Sequence, residues 1–198
     1  MSLVPGAETP ESHGAKEGLR PEASTWQRPG KTAGQSRRNM AQVMTTDAAQ
    51  SSRASEISLN QLMLPEHANA LGNVHGGVIM KMVDEAGAIV AMRHARKPCV
   101  TIAIDSMTFK EPVHVGQLMV CKARVTHVGR SSIEVQVLVH AENLLTREVT
   151  HTNSAYVVYV SLGPDGKAAA APPLLLETNE DHRLSAEGAD RQRHRLGR

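Results

Sequence analysis

Aromatic residues are almost missing from the 198-residue chain: Trp26, Phe109, Tyr156 and Tyr159 are the whole set. An interior built from this sequence must therefore be aliphatic, packed from Val, Ile, Leu, Met and Ala. No stretch interleaves basic with aromatic residues, and the formal charge is only +2, so neither a stacking platform nor an electrostatic footprint for nucleic acid is present. No apolar run approaches the ~20 residues that a spanning helix requires, which argues against a membrane protein. The opening MSLVPGAETPESHGAKEG lacks the apolar centre of a secretory signal, and a cytoplasmic protein is expected. Cysteine is limited to Cys99 and Cys121, with no CxxC or His spacing around either, so they read as small reduced core residues and not as metal ligands. The sequence also holds no GxGxxG, Walker lysine or HExxH, and no cofactor is expected.

Residues 1–52 are rich in Gly, Pro, Ser, Gln and charge, and cannot bury enough apolar surface to offset the entropy of ordering; they are expected to be a disordered tail. From Ser55 the pattern changes. SEISLNQLMLP reads as a strand ended by Pro65, and the loop EHANALGNVHGG follows. Val78, Ile79, Met82, Val83, Ala86, Ile89 and Val90 then recur at three- and four-residue spacing, predicting a mostly buried helix from Gly77 to Arg93, a rod of roughly 25 Å. Small residues Ala86, Gly87, Ala88 and Ala91 let a sheet approach it closely.

After Pro98, four segments alternate with period two: CVTIAIDSMTF, QLMVCKARVTHVG, SSIEVQVLVHAEN and NSAYVVYVSL. In the third, Ile133, Val135, Val137 and Val139 face one way, while Glu134, Gln136 and His140 face a wetter side. One strand, one long helix and four antiparallel strands predict an α+β domain over residues 55–162, an antiparallel sheet of about five strands wrapped around a single central helix. That is the hot-dog architecture. Residues 163–198 read as a linker and a charged tail, with a short exposed helix interrupted by Gly188.

Chemistry concentrates at Gly72–Gly77 and on the helix that follows. Unpaired N–H groups at a helix N-terminus can stabilise a polarised carbonyl oxygen, and Gly76 and Gly77 permit its approach; equally, paired glycines can be no more than a tight turn. Asp84 interrupts an apolar helix, where a carboxylate is costly unless it is paired or reaches a cleft; it can also belong to a solvated face with Glu85, paired to Lys81 three residues earlier. Gly77 and Asp84 lie on one side of the helix with ~10 Å between them, too far for one reacting atom within one chain. A second subunit could close the gap. His75 can serve as a base, or turn to solvent or to a local hydrogen bond.

The run GNVHGGVIMKMVDEAGAI resembles the signature of hot-dog acyl-CoA thioesterases, the family of the brain-type acyl-CoA hydrolase and its single-domain bacterial relatives. The likeness extends through TFKEPVHVGQLM and VGRSSIEVQV to AYVVYV and the PPLLLET segment. It implies hydrolysis of an acyl-CoA substrate without a serine nucleophile, by a helix acid and a loop Asn from the facing protomer; Asp84 matches the acid and Asn73 the loop Asn. Glu85 also matches a family position and is given no proton-transfer role. Gly129, Arg130, Ser131 and Ser132 match a turn near the CoA, with Arg93, Arg96 and Lys97 as other basic candidates. Self-association as a dimer, and as a hexamer built from three dimers, is implied as well. Two readings from other classes stand beside hydrolysis: a hydratase or dehydratase using His75 with Asp84 or Glu85, and a non-catalytic acyl-CoA sensor.

Overall fold

The structure, a computed structural model, describes residues 48–197. Most of the segment expected to be a disordered tail lies outside the described residues. Its end is ordered: β1 (Gln50–Ser51) pairs in parallel with β7 (Leu174–Leu175). The short α1 (Ser52–Ser55) leads into β2 (Ile57–Leu62).

The long helix α2 (Gly76–Ala95) starts one residue earlier and ends two later than its periodicity predicts. At its start, the ring of His75 accepts the Gly77 N–H; at its end, Arg96 enters the left-handed region at φ 53° and donates its N–H to Met92 O. Its buried face, Ile79, Met82, Val83, Ala86, Val90 and Ala91, lies against a five-stranded antiparallel sheet ordered β2-β4-β5-β6-β3. The strands are β3 (Cys99–Phe109), β4 (Leu118–Val128), β5 (Ser132–Glu142) and β6 (Val149–Ser161), with β2 as above. Met119, Cys121, Ala123 and Val125 of β4, Ile133, Val135, Val137 and Val139 of β5, and Ala155, Val157 and Tyr159 of β6 form the inner wall of the core. This is the hot-dog arrangement. Cys99 and Cys121 are both free, and burial pushes the Cys121 thiol up to about 12.

Two expectations need correction. The charged C-terminal segment is not a short helix broken at Gly188 but an 18-residue α3 (Asn179–Leu196) that runs through it. Thr178 and Asp181 close a reciprocal cap at its start, satisfying two otherwise orphaned donors. Gly188 is a contact point: a Cβ there would stand 2.5 Å from His127 Cβ and 2.7 Å from Glu134 Oε1, so glycine allows the helix to press onto the sheet. The outer side of β5 is consequently not uniformly wet. Glu134 is 3% exposed beneath α3, where Arg191 forks onto its carboxylate at 2.9 and 2.8 Å and Thr126 donates at 2.6 Å. A buried carboxylate is tolerable only with such pairing.

His94, fully buried near the end of α2, donates from Nε2 to Pro172 O at 2.9 Å. Burial holds its imidazole below the usual 6.5, and the same cause, reinforced by His151 and Lys122, lowers His140. Both rings take up a proton less readily in the fold than in the unfolded chain, so the unfolded state binds more protons as pH falls below 6.5. Stability should therefore be full above that value and fall as pH drops through it toward the depressed folded values. Melting temperatures measured from about pH 7.5 to about pH 5 should show this loss, and His94→Gln, which keeps a donor but cannot titrate, should make it shallower, with His140 supplying the remainder. An equal slope in the variant would remove His94 as its source.

Candidate functional site

The helix acid is held from the sheet. Thr101 Oγ1 of β3 donates to Asp84 Oδ1 at 2.7 Å. Tyr159 of β6 reaches the same residue, its hydroxyl 2.9 Å from the Asp84 carbonyl and 3.3 Å from Oδ1. Burial, with the neighbouring Asp84 charge next, pushes the Tyr159 phenol far up, so it remains a donor at any working pH. Oδ2 has no hydrogen-bond partner among the described residues, and the side chain is half-buried. One oxygen is anchored and the other is open. Lys81 does not pair with Asp84; it bridges to Glu85 at 3.3 Å, both exposed, an i,i+4 pair of little energetic weight.

Gly87 makes this grip possible. A Cβ at that position would lie 2.2 Å from the Tyr159 hydroxyl and 2.9 Å from its ring carbon, contacts no side chain survives.

The loop before α2 is closed on itself. Asn69 N–H donates to Asn73 O at 2.7 Å, while Asn69 Oδ1 accepts from Leu71 N at 2.8 Å and from Asn73 N at 3.2 Å. With its oxygen fixed by two backbone donors, the carboxamide of half-buried Asn69 presents an Nδ2 that has no acceptor among the described residues. Asn73, four residues on, contributes its backbone to this closure and also bridges to His114. Sequence reasoning missed Asn69 because the glycine-rich run beside Asn73 draws attention, while a loop closure is visible only in three dimensions. Thr101 and Tyr159 were missed as well; they lie 17 and 75 residues from Asp84 in sequence.

His75 takes the local hydrogen bond. Its Nδ1 accepts from Gly77 N at 2.9 Å, which places the ring proton on Nε2 and leaves no lone pair to act as a base. The same bond satisfies the Gly77 N–H, whereas the Gly76 N–H has no such partner among the described residues. Among the described residues, no group of three or more His, Cys, Asp or Glu is placed to hold a metal ion.

The Gly129–Ser132 turn joins β4 to β5. Gly129 N–H donates to Ser132 O, Ser161 N–H to Ser131 O and Ala171 N–H to Arg130 O, all between 2.9 and 3.0 Å, and Arg130 is exposed. Ser161 is two residues along β6 from Tyr159, so the turn is ~7 Å along that strand from the residue gripping Asp84. Arg93, Arg96 and Lys97 sit at the opposite end of α2 from the loop, and Lys97 donates to Ala170 O at 2.7 Å.

The thioesterase superfamily model matches residues 71–147. The cytosolic acyl coenzyme A thioester hydrolase of Homo sapiens is 34% identical over 139 residues, 69% of this chain and 37% of that protein, so the chain spans little more than a third of that relative. An uncharacterized acyl-CoA thioester hydrolase of Zymomonas mobilis is 33% identical over 138 residues, covering 70% of this chain and 89% of its own. Among solved structures, an apo-hexameric acyl-CoA thioesterase superposes with TM-score 0.73 at 35% identity, covering 76% of this chain and 96% of that one. An acyl-CoA hydrolase from Staphylococcus aureus in complex with butyryl coenzyme A and coenzyme A superposes with TM-score 0.70 at 27% identity, covering 75% and 91%. The chain belongs to the thioesterase superfamily. Further structures of the Staphylococcus aureus hydrolase carry an Asn, an Asp or a Thr replaced by Ala. Fifteen residues separate its Asn from its Asp and seventeen its Asp from its Thr, the separations of Asn69, Asp84 and Thr101 here.

Gly87→Ala should strip the grip on Asp84, lowering both melting temperature and activity, because the new methyl displaces the Tyr159 hydroxyl. Tyr159→Phe alone removes the hydroxyl shared between the Asp84 carbonyl and Oδ1 and should cost roughly tenfold in kcat. Combining the two should restore part of the lost melting temperature, since the hydroxyl that clashes is gone, but none of the activity. Restored activity in the double variant would show that Tyr159 does not act through Asp84.

Proposed function

We propose that this chain hydrolyses acyl-CoA thioesters at a site formed between two copies of itself. The observation that carries the reading is the state of Asp84, a carboxylate held by Thr101 and Tyr159 through one oxygen while the other stays open. A general base needs that arrangement: a fixed direction, and a lone pair not already committed. In the proposed reaction Asp84 Oδ2 takes a proton from water, and the hydroxide attacks the thioester carbonyl. The developing oxyanion is met by Asn69 Nδ2–H and the Gly76 N–H, donors set before the charge appears. Collapse breaks the C–S bond, and the departing thiolate takes up the proton from Asp84, leaving free acid and CoA.

Asn69, not Asn73, is assigned the amide role. Its carboxamide oxygen is anchored and its NH2 open, and its separation from Asp84 is that of the pair replaced in the Staphylococcus aureus hydrolase. Gly77 drops out as an oxyanion donor because His75 takes its N–H. Arg130 and the Ser131 and Ser132 hydroxyls are assigned to the CoA phosphates, for which an exposed cation on a fixed turn is suited. Water is the sole co-reactant in this scheme, so it calls for no cofactor. A hydratase would need His75 as a proton carrier, which its bond to Gly77 disfavours.

Asn69 lies in the loop that precedes α2 and Gly76 at its first residue, with Asp84 two turns along the helix, so the amide of one protomer is assigned to work with the carboxylate of its partner. The edge of β3 away from β6 has no strand partner among the described residues, and it exposes Val100, Ile102, Ile104 and Phe109. An open apolar edge of this kind is a ready pairing surface, and a dimer is assigned to it. Assembly of three such dimers follows the hexameric relative. Among the described residues no helix is long and apolar enough to cross a membrane, and a cytosolic setting is assigned by analogy with the human relative.

Asp84→Asn should lower kcat by ~100-fold or more in a thiol-release assay, with fold and oligomer intact. Asn69→Ala should lose activity on a comparable scale, while Asn73→Ala, whose backbone contacts survive substitution, should stay within a few-fold of the parent. The reverse ranking of the two Asn variants would return the role to Asn73. A fully active, folded Asp84→Asn protein would remove the hydrolase reading altogether.

A further inference from the structure

The C-terminal helix does more than cover the outer face of the sheet, because its last turns reach the Gly129–Ser132 turn. Gln192 Nε2 donates to Ser132 Oγ at 3.1 Å, and Gln192 Oε1 accepts from His127 Nε2 at 2.9 Å. His127 Nδ1 in turn meets Ser185 Oγ of the same helix at 3.5 Å. With the His127 proton on Nε2, Nδ1 accepts from Ser185 Oγ and the Gln192 amide presents its NH2 to the turn. The fit is close: a Cβ on Gly129 would stand 2.6 Å from both Gln192 Nε2 and Ser132 Oγ. One residue earlier on α3, Arg191 locks the helix to Glu134 and lies 3.8 Å over the Tyr156 ring, so Gln192 is presented from an anchored support.

The Ser132 oxygen receives a hydrogen bond from Gln192, which leaves its own O–H proton to donate outward. All three backbone bonds of the turn are made, and the Arg130 guanidinium has no partner among the described residues. A free cation and a directed hydroxyl on a turn held from three sides form a prepared anion site. Preparing it beforehand spares the ligand the cost of ordering it.

We infer that α3 positions the phosphate-binding turn, with Gln192 as the positioning residue that orients Ser132 and holds the Arg130 loop in shape for the nucleotide end of CoA. This rests on the assignment of the turn to CoA phosphates. Gln192 touches no substrate; its effect passes through Ser132.

The test compares an acyl-CoA with the same acyl group on pantetheine, which carries the thioester but no nucleotide. Gln192→Ala should raise KM for the acyl-CoA about fivefold, the scale of one lost neutral hydrogen bond, with kcat unchanged. Gln192→Glu, which cannot donate to Ser132 and adds negative charge beside the phosphates, should raise it further. Neither should change KM for the acyl-pantetheine. Equal effects on both substrates, or on neither, would overturn the positioning role. Arg130→Ala separates the role of the helix from that of the turn. If it raises KM for acyl-CoA while the Gln192 variants do not, the helix has no part in binding; if it has no effect, the turn is not the phosphate site and both assignments fall.

Discussion

A carboxylate on the helix that fills a hot-dog sheet is unfavourable unless something compensates its partial desolvation, and here the compensation is a pair of hydroxyls from two different strands. Thr101 and Tyr159 converge on one oxygen of Asp84. Hydrogen bonds to charged groups contribute about 1.5–3 kcal/mol each, enough to hold a half-buried carboxylate in one orientation. That grip sets demands elsewhere in the chain. Gly87 must lack a side chain so that the Tyr159 ring can reach the helix, and β3 and β6 must pair in a register that brings Thr101 opposite Tyr159. The approach distance of α2, the identity of its central glycine and the sheet register thus all converge on the direction of one oxygen atom.

The two sides of the sheet are linked through β6. Tyr159 faces α2 and holds the acid, while Ser161, two residues on, holds Ser131 of the β4–β5 turn. Gln192 grips the same turn from the outer side. A single strand therefore fixes the spacing between the residue assigned to the chemistry and the turn assigned to the nucleotide. The buried Glu134–Arg191 pair anchors α3 more firmly than the exposed pairs along that helix can, because removing one partner would strand a buried charge at a cost of about 3–5 kcal/mol.

Periodicity made the framework legible: three- and four-residue spacing located α2 within two residues at either end, and β-branched alternation located β3, β4 and β5 closely. Asp84 stood out as a charge on an apolar face. What escaped the sequence depends on distance or on context. Thr101 and Tyr159 are ordinary strand residues until the register brings them to Asp84. Asn69 gains its open NH2 from a loop closure that no spacing rule describes. Gly188 carries the same letter whether it breaks a helix or lets one press against a sheet, and only the proximity of His127 and Glu134 decides between the two. Lys81 had two acids within reach on its helix, and the i,i+4 geometry favoured Glu85 over Asp84.

The central claim is that Asn69 of one chain works with Asp84 of another. Mixing inactive Asn69→Ala and Asp84→Ala chains by co-refolding tests it most directly. In a mixed dimer one site collects both defects and the other collects neither, and random pairing of equal amounts makes half of the dimers mixed. Activity should then return to about a quarter of the parent's. Mixed dimers confirmed by native mass spectrometry, yet without thioesterase activity, would contradict the shared site.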